Sequence, residues 1–424
     1  MSSSTDAKVL PTLSPISLPQ GFNRLVWSNL LAQSAEQIGL AAAPIVAVFA
    51  FGAQAGETGL LQTAQTLPFL LFAIPAGLLA DRASRRDLMA LAEALRALSL
   101  VAVLLLACAG WLTLPLLALL GFIGASGTVA YSVAAPSLVP AMVRADALNA
   151  ANRRLELARS IAFAAGPALG GALVGWIGAA PAFGVAAACS GYAVILLFGL
   201  REPPRPALPP RHIGRDLKEG AQFLFTHPLL RPVLLTAVFF NTAFLIMQAI
   251  YVPYAVSKLA LSPTSVGATL AAYGLGMVAG ALLASRLAKI VTFGTMIAIG
   301  PIAGVCSALA MLLTIWVPSA ALAALSFFLI GAGPVLWTIS TTTLRQAVTP
   351  GALLGRVSAV ILMATWGTRP LGAAIGALIG ASYGTEACLV IAACGFFVQA
   401  SIILASPVAH LLRQPEMADS KGAI

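Results

Sequence analysis

The sequence predicts an all-α integral membrane protein of twelve transmembrane helices, arranged as two pseudo-symmetric six-helix bundles. Three observations carry this. Of 424 residues, 59% are hydrophobic and only 9% charged, with a mean hydropathy of +0.95, whereas soluble domains hold about 25% charged residues. Apolar runs of about 20 residues, enough to cross a ~30 Å hydrocarbon core as helix, recur along nearly the whole chain between short polar breaks. Finally, two landmarks of the first half return in the second half at nearly the same offset.

The spans read in order at 24–50, 58–80, 88–110, 113–136, 155–177 and 180–200, and then at 230–256, 265–286, 292–316, 319–343, 356–380 and 384–409. Continuous apolar runs favour helices over a barrel, whose strands would show segments of roughly 10 residues alternating apolar and polar. The first 20 residues are polar, with no apolar core followed by a small-residue cleavage site. No signal peptide is therefore expected, and span 1 itself directs insertion. The expected units are residues 1–200, a six-helix bundle with a cytoplasmic N-terminus, a linker at 201–228, and residues 229–424, a second bundle with a cytoplasmic tail.

The linker opens Arg201-Glu-Pro-Pro-Arg-Pro and contains Ile213, Leu217, Ala221 and Leu224 at helical spacing, with Arg215, Asp216 and Lys218 on other faces. Proline stops span 6, and the apolar stripe suggests a helix lying on the inner leaflet. An ordinary solvated linker is the alternative.

The formal charge of +10 is a matter of topology, since Lys and Arg concentrate in cytoplasmic loops. Arg82, Arg85 and Arg86 follow span 2; Arg144, Arg153 and Arg154 follow span 4. Arg201, Arg205, Arg211, Arg215 and Lys218 follow span 6, Arg286 and Lys289 follow span 8, and Arg345 and Arg356 flank the loop after span 10. The opposite loops hold only Lys258. Both termini are thus expected in the cytoplasm, with the basic loops attracted to anionic lipid and no role for nucleic acid. The five cysteines lie in or at the ends of spans and are odd in number, so neither a disulfide framework nor a metal site is assigned. All three histidines fall in cytoplasmic loops or at a helix end, which argues against a histidine proton relay inside the membrane.

The duplication is carried by Leu78-Leu79-Ala80-Asp81-Arg82 after span 2, matched by Leu282-Leu283-Ala284-Ser285-Arg286 after span 8, an offset of 204. In span 5, Gly166-Pro167-Ala-Leu-Gly170-Gly171 is answered in span 11 by Arg369-Pro370-Leu-Gly372, the prolines 203 apart. Parallel six-helix repeats place a substrate site near the midplane between the halves, with one half rocking on the other.

The sharpest motif is Gly77-Leu-Leu-Ala-Asp81-Arg82-Ala-Ser84-Arg85-Arg86 at the cytoplasmic junction of spans 2 and 3. It resembles the signature loop of the major facilitator superfamily, with Ser84 where that pattern usually has Gly. The resemblance implies the major facilitator fold and an inner gate formed by Gly77, Asp81, Arg82, Arg85 and Arg86. In that gate Asp81 would pair across the interface when the transporter is outward-open, and Gly77 would permit close packing. Physically, a carboxylate among arginines is held ionised and can lock two helices by charge-assisted hydrogen bonds; a purely topological basic loop is the alternative. Ser285 replaces the Asp in the second copy, which keeps the shape without the switch.

The span 5 motif resembles one associated with antiporters in this superfamily. Its small residues permit close approach and its Pro bends the helix, so a packing kink is the bland reading of Gly166, Pro167, Gly170, Gly171, Pro370 and Gly372. The stretch Asp216-Leu-Lys-Glu-Gly-Ala-Gln-Phe-Leu-Phe-Thr-His-Pro-Leu-Leu-Arg231, with Ser137-Leu-Val-Pro140 and Asn149-Ala-Ala-Asn152, resembles the subfamily of enterobactin-exporter and macrolide-efflux-like transporters.

Span 1 carries Asn29, Gln33, Glu36 and Gln37 on one face, at i, i+4, i+7 and i+8. Such a polar stripe should face a cavity. Glu36 lies about 20 Å from the cytoplasmic edge at 1.5 Å per residue, near mid-membrane, where an ionised, unpaired carboxylate costs several kcal/mol. It is the candidate proton-coupling residue; a structural ion pair is the alternative. Arg369, the only basic residue placed near the midplane, is either its counter-ion or an anchor for an anionic substrate group. Glu93 and Arg96, at i, i+3, read as a local structural pair nearer the cytoplasmic edge. By the resemblance, spans 1, 4, 7 and 10 line the cavity, which makes Asn241, Gln248, Tyr251, Tyr254, Trp337 and Thr338 candidate substrate contacts, with aromatic packing as the alternative.

No Walker loop is present, so energy is expected from a gradient. The expectation is a cofactor-free secondary transporter of the bacterial inner membrane, not an enzyme, acting as a monomer on a small-molecule substrate and protons. By the resemblance it is a proton-coupled exporter of a small amphipathic compound such as a drug or siderophore. A facilitator or importer of a lipid-like solute, and a non-transporting receptor or scaffold, remain as alternatives.

Overall fold

A computed structural model describes residues 20–143, 147–200, 202 and 213–415. The first half holds α1 (Gln20–Phe51), α2 (Ala55–Arg82), α3 (Arg85–Cys108), α4 (Leu114–Met142), α5 (Leu148–Ile177) and α6 (Ala179–Phe198). A short α7 (Ile213–Thr226) precedes the second half, which holds α8 (Leu230–Ser257), α9 (Pro263–Leu287), α10 (Phe293–Leu313), α11 (Ala320–Val348) and α12 (Gly351–Leu404). Among the described residues, 11 helices are long and apolar enough to cross a membrane. The run Gly351–Leu404 contains two spans, because Gly384 at φ +83°, ψ 174° turns the chain between 351–383 and 385–404. Twelve crossings result.

Local chemistry explains the helix starts. Ser84, Ser262, Thr292 and Ser319 each accept a hydrogen bond from the backbone N–H three residues on, capping α3, α9, α10 and α11. Closed backbone bonding is what the lipid demands, and helices supply it within each span. α3 shows the resulting inversion of a soluble helix. Leu91, Leu98 and Leu105, seven residues apart, are exposed on the lipid side, while Glu93, Arg96 and Ser99 are buried in the bundle.

The packing repeats. In the first half α1 meets α5 and α6, α2 meets α4, and α3 meets α4 and α6. In the second, α8 meets α12, α9 meets α11, and α10 meets α11 and α12. The turns repeat as well. Gly178, between α5 and α6, has φ +98°, ψ −178°, nearly the geometry of Gly384, a region essentially restricted to glycine.

The two ends of the bundle differ. Arginine-rich loops mark one; exposed Trp111, Trp176, Trp316 and Tyr383 mark the other, as amphipathic rings do at a membrane interface. The halves are shut together at the aromatic end along α2–α12 and α5–α9. A Cβ added to Gly59 would lie 2.5 Å from Ala377 Cα, and one on Gly171 would lie 2.6 Å from Gly267 Cα. At the basic end the packing is loose: a Cβ on Gly77 or Gly355 would meet nothing within 4 Å. Among the described residues, the close packing expected at Gly77 is not found in this conformation, and the close glycine contacts between the halves lie at the opposite end.

α7 is amphipathic and clasped to the basic end of α12. Arg356 Nε lies 2.9 Å from Asp216 Oδ1, its Nη1 reaches Glu219, and Arg215 Nε lies 2.9 Å from Glu219 Oε1. Glu202, after α6, accepts from Ser84 Oγ at 2.9 Å and from the Arg86 backbone N–H at 3.1 Å, tying the start of α3 to the linker.

Candidate functional site

A cavity of about 250 Å³ lies between the halves, walled by α1 to α6, α8, α9, α11 and the first part of α12. Glu36, Gln37, Gln248 and Arg369, all anticipated, line it, together with Gln62, Gln65, Phe69, Arg96, Thr128, Arg159, Phe163 and Tyr273.

Glu36 stands near the middle of α1, and its partner is Arg96 rather than Arg369. Arg96 Nη2 is 3.7 Å from Glu36 Oε2, and Arg96 Nη1 is 2.7 Å from Glu93 Oε1, close as an ion pair though off the angle of a hydrogen bond. The Glu93–Arg96 pair is thus more than a local helix contact. Both residues sit mid-helix in α3 and are buried, and they join a network across four helices. Arg96 donates to the Ala32 carbonyl of α1 at 2.9 Å and to Thr128 of α4, while Ser190 of α6 donates to Glu93 Oε2 at 2.6 Å. One guanidinium serves two carboxylates, one fully buried and the other on the cavity wall.

Arg369 is not paired with a carboxylate among the described residues. Its Nε donates to Asn241 Oδ1 at 3.3 Å, and its guanidinium carbon lies 5.8 Å from the ring centre of Trp366. Nor is it the only basic residue at this depth. Arg159 of α5 also lines the cavity, its guanidinium carbon 5.3 Å from the Phe163 ring, and its nearest carboxylate is Glu156 at 3.7 Å. Its place inside the apolar span at 155–177 was the signal available for finding it. Phe69 meets Trp366 edge to face at 4.9 Å, and Tyr273 lies 6.1 Å from Phe163 and 5.8 Å from Phe244. Phe69, Phe163, Phe244 and Tyr273, though scattered in sequence, converge on the cavity from both halves.

Other expected contacts lie elsewhere. Asn29 and Gln33 do not reach this cavity, and Asn29 donates to the Leu155 carbonyl of α5 at 3.4 Å. Asn241 touches the site through Arg369 alone. Trp337 is packed against Gly300, Ile297 and Val233 rather than lining the cavity. Tyr251 and Tyr254 are fully buried, bonded to Thr269 and, at 2.7 Å, to Thr314. A two-faced helix inside a bundle offers its polar residues several neighbours, and these side chains found partners within their own half.

The glycine motifs bring backbones together. Cβ atoms added to Gly166 and Gly170 would strike Gln37 and Ile38 of α1; Gly171 faces α9 of the other half, where the Pro167 carbonyl sits against Gly267. In α12, Gly372 lies against the Thr242 carbonyl of α8, with Pro370 buried beside it. At the basic end Arg86 pairs with Asp87 at 2.6 Å and donates to the Leu200 carbonyl, and Arg85 starts α3. Asp81 and Arg82 end α2, but their side chains lie outside the described residues, as do those of Ser137 and Asn149.

Comparison with known proteins adds a family to this geometry. Residues 12–421 match the family described as transmembrane secretion effector. The chain is 28% identical over 311 residues to the enterobactin exporter EntS of Escherichia coli O1:K1 / APEC, covering 72% of this chain and 71% of that one. It is 25% identical over 287 residues to the multidrug efflux pump Tap of Mycobacterium tuberculosis, covering 64% and 67%. Among solved structures, the nucleoside transporter NupG (D323A mutant) superposes with a TM-score of 0.75 at 13% identity, over 91% of this chain and 99% of that one. A D-xylose–proton symporter does so with a TM-score of 0.71 at 13% identity, over 90% and 96%. At such identity these two likenesses establish the fold.

Proposed function

The chain belongs to the transmembrane secretion effector family of major facilitator transporters, and from that premise we propose that it is a proton-coupled exporter of a small amphipathic compound, a drug or siderophore, working by alternating access. It is a multi-pass membrane transporter and not an enzyme. The arginine-rich loops support a cytoplasmic side at the basic end of the bundle, and on that reading a protein shut at the aromatic end faces inward. Relatives described as exporting enterobactin and as effluxing multiple drugs support the outward direction.

The observation that carries proton coupling is the shared guanidinium. Glu36 lines the cavity at 3.7 Å from an Arg96 already held at 2.7 Å by Glu93. When Glu36 takes a proton, Arg96 keeps a carboxylate and no cation is stranded in the bundle, so the cost of burying an unpaired charge is avoided in both states. In an export cycle Glu36 would take its proton while the cavity faces outward and lose it to the cytoplasm once the cavity faces inward, which readies the site again.

The test is efflux of siderophores and fluorescent drugs from cells expressing wild type or Glu36→Gln, with and without a protonophore. Protonophore-sensitive efflux that Glu36→Gln abolishes is the expected result. Efflux indifferent to both would refute coupling and point to a facilitator on the same fold.

A further inference from the structure

Charge accounting in the cavity leaves a remainder. Its acidic and basic wall residues are Glu36, Arg96, Arg159 and Arg369. Arg96 is claimed by Glu36 and by the buried Glu93 behind it. The other two guanidiniums, which stay charged in any environment, are poorly matched. Arg159, itself half-exposed, makes only the 3.7 Å contact with a half-exposed Glu156, and no hydrogen bond among the described residues uses it. Arg369 spends Nε on the neutral Asn241 amide, leaving Nη1 and Nη2 without a protein acceptor among the described residues. Ionisable side chains in a membrane interior ordinarily pair with one another or with backbone carbonyls, so these two open donors call for an acceptor that the described residues do not provide. Each also lies beside a ring, Phe163 or Trp366, and contact with a ring leaves a guanidinium's edge N–H groups available to an oxyanion.

We propose that the transported compound is an organic anion, a carboxylate, sulfonate or phosphate on an aromatic or apolar body, bound between Arg159 of α5 and Arg369 of α12. The inference rests on the transport reading above and narrows it to a substrate class. The two arginines belong to opposite halves, so an anion held by both ties those halves together, and their rocking must loosen one contact. The Phe69, Phe163, Tyr273 and Phe244 rings would receive the apolar body.

The test uses purified full-length protein in dodecyl maltoside and a set of matched probes: 1-naphthoate and 1-naphthalenesulfonate, the neutral 1-naphthamide, the cationic 1-naphthylmethylamine, and sodium chloride alone. A ligand that binds the folded state raises the melting temperature with its concentration. The two organic anions are expected to raise it, and the amide, amine and chloride to leave it unmoved. Arg159→Gln and Arg369→Gln are each expected to weaken the half-saturating anion concentration by tenfold or more, about 1.4 kcal/mol, while Arg159→Lys and Arg369→Lys keep the preference for anions. The proposal falls if neither anion stabilises the protein, if the amide or chloride does so equally well, or if the Lys variants lose binding as the Gln variants do. The two readings fail separately. Anion-selective binding alongside efflux that ignores the protonophore sinks proton coupling and keeps this site; proton-driven efflux with the amide bound as well as naphthoate does the reverse.

Discussion

Removing the guanidinium of Arg96 should unmake the buried charge network, and its size can be worked from the distances. At an effective dielectric of about 20, the 2.7 Å contact with Glu93 is worth about 6 kcal/mol of Coulomb energy and the 3.7 Å contact with Glu36 about 4.5. Most of that is offset by the desolvation of three charges, but Arg96→Gln strands Glu93, a fully buried carboxylate left with Ser190 as its hydroxyl donor. Breaking a buried pair from one side costs about 3–5 kcal/mol, the loss expected here. Adding Glu93→Gln to Arg96→Gln removes the stranded charge and should recover at least half of it. Reversible unfolding in mixed micelles, followed by tryptophan fluorescence, measures all three variants. If Arg96→Gln stays within about 0.5 kcal/mol of wild type, the range of an ordinary surface change, or if the second substitution deepens the loss, the network does not stabilise the bundle as argued.

Three further outcomes follow from the packing. Gly171→Val drives a side chain into the Gly267 backbone, 2.6 Å from where the Cβ must sit. It should pry α5 from α9 at the aromatic end, so that maleimide labelling of a Thr264→Cys thiol rises several-fold; unchanged labelling would show that this contact is not the closure. Gly178→Ala and Gly384→Ala meet no atoms within 4 Å but force Ala to φ +98° and +83°. Each should cost about 1–3 kcal/mol of stability, with Ser costing as much as Ala, and a steep dependence on side-chain size would refute a backbone origin. At the linker, the hydrogen bond from Arg215 chiefly, with the nearby Arg356 charge, lowers the Glu219 pKa below its ordinary value of 4.5. A depressed folded value means the clasp is complete above the ordinary carboxylate range and is lost as pH falls through the folded pKa. Hydrogen exchange of 213–226 should therefore stay slow from pH 7 to about 5 and quicken below about 4 once corrected for intrinsic rates, and Arg356→Gln should quicken it at neutral pH.

Much of the architecture follows from local sequence, because lipid imposes a local rule: a crossing must be a helix of about 20 apolar residues. Composition alone therefore located twelve spans, even where two of them abut at Gly384 with no longer loop between. Repetition is equally legible: the paired landmarks 203–204 residues apart correspond to helices that make the same contacts in both halves. The polar stripe on α1 identified Glu36 and Gln37 as cavity residues for the same reason, since helical period converts spacing into a face.

Partner choice is a different matter. Which neighbour a buried polar residue meets depends on the rotation and tilt of each helix, set by how closely small residues such as Gly166, Gly170 and Gly171 let backbones approach. One residue of register turns a side chain by about 100°, enough to swap a cavity for a packed interface. Only tertiary structure therefore decided that Glu36 answers to Arg96 and not to Arg369, that Arg159 enters the cavity, and that Trp337, Tyr251 and Tyr254 are packed away from it. Sequence determined how many helices cross the membrane and which of them carry charge; the packing of those helices determined which charges meet.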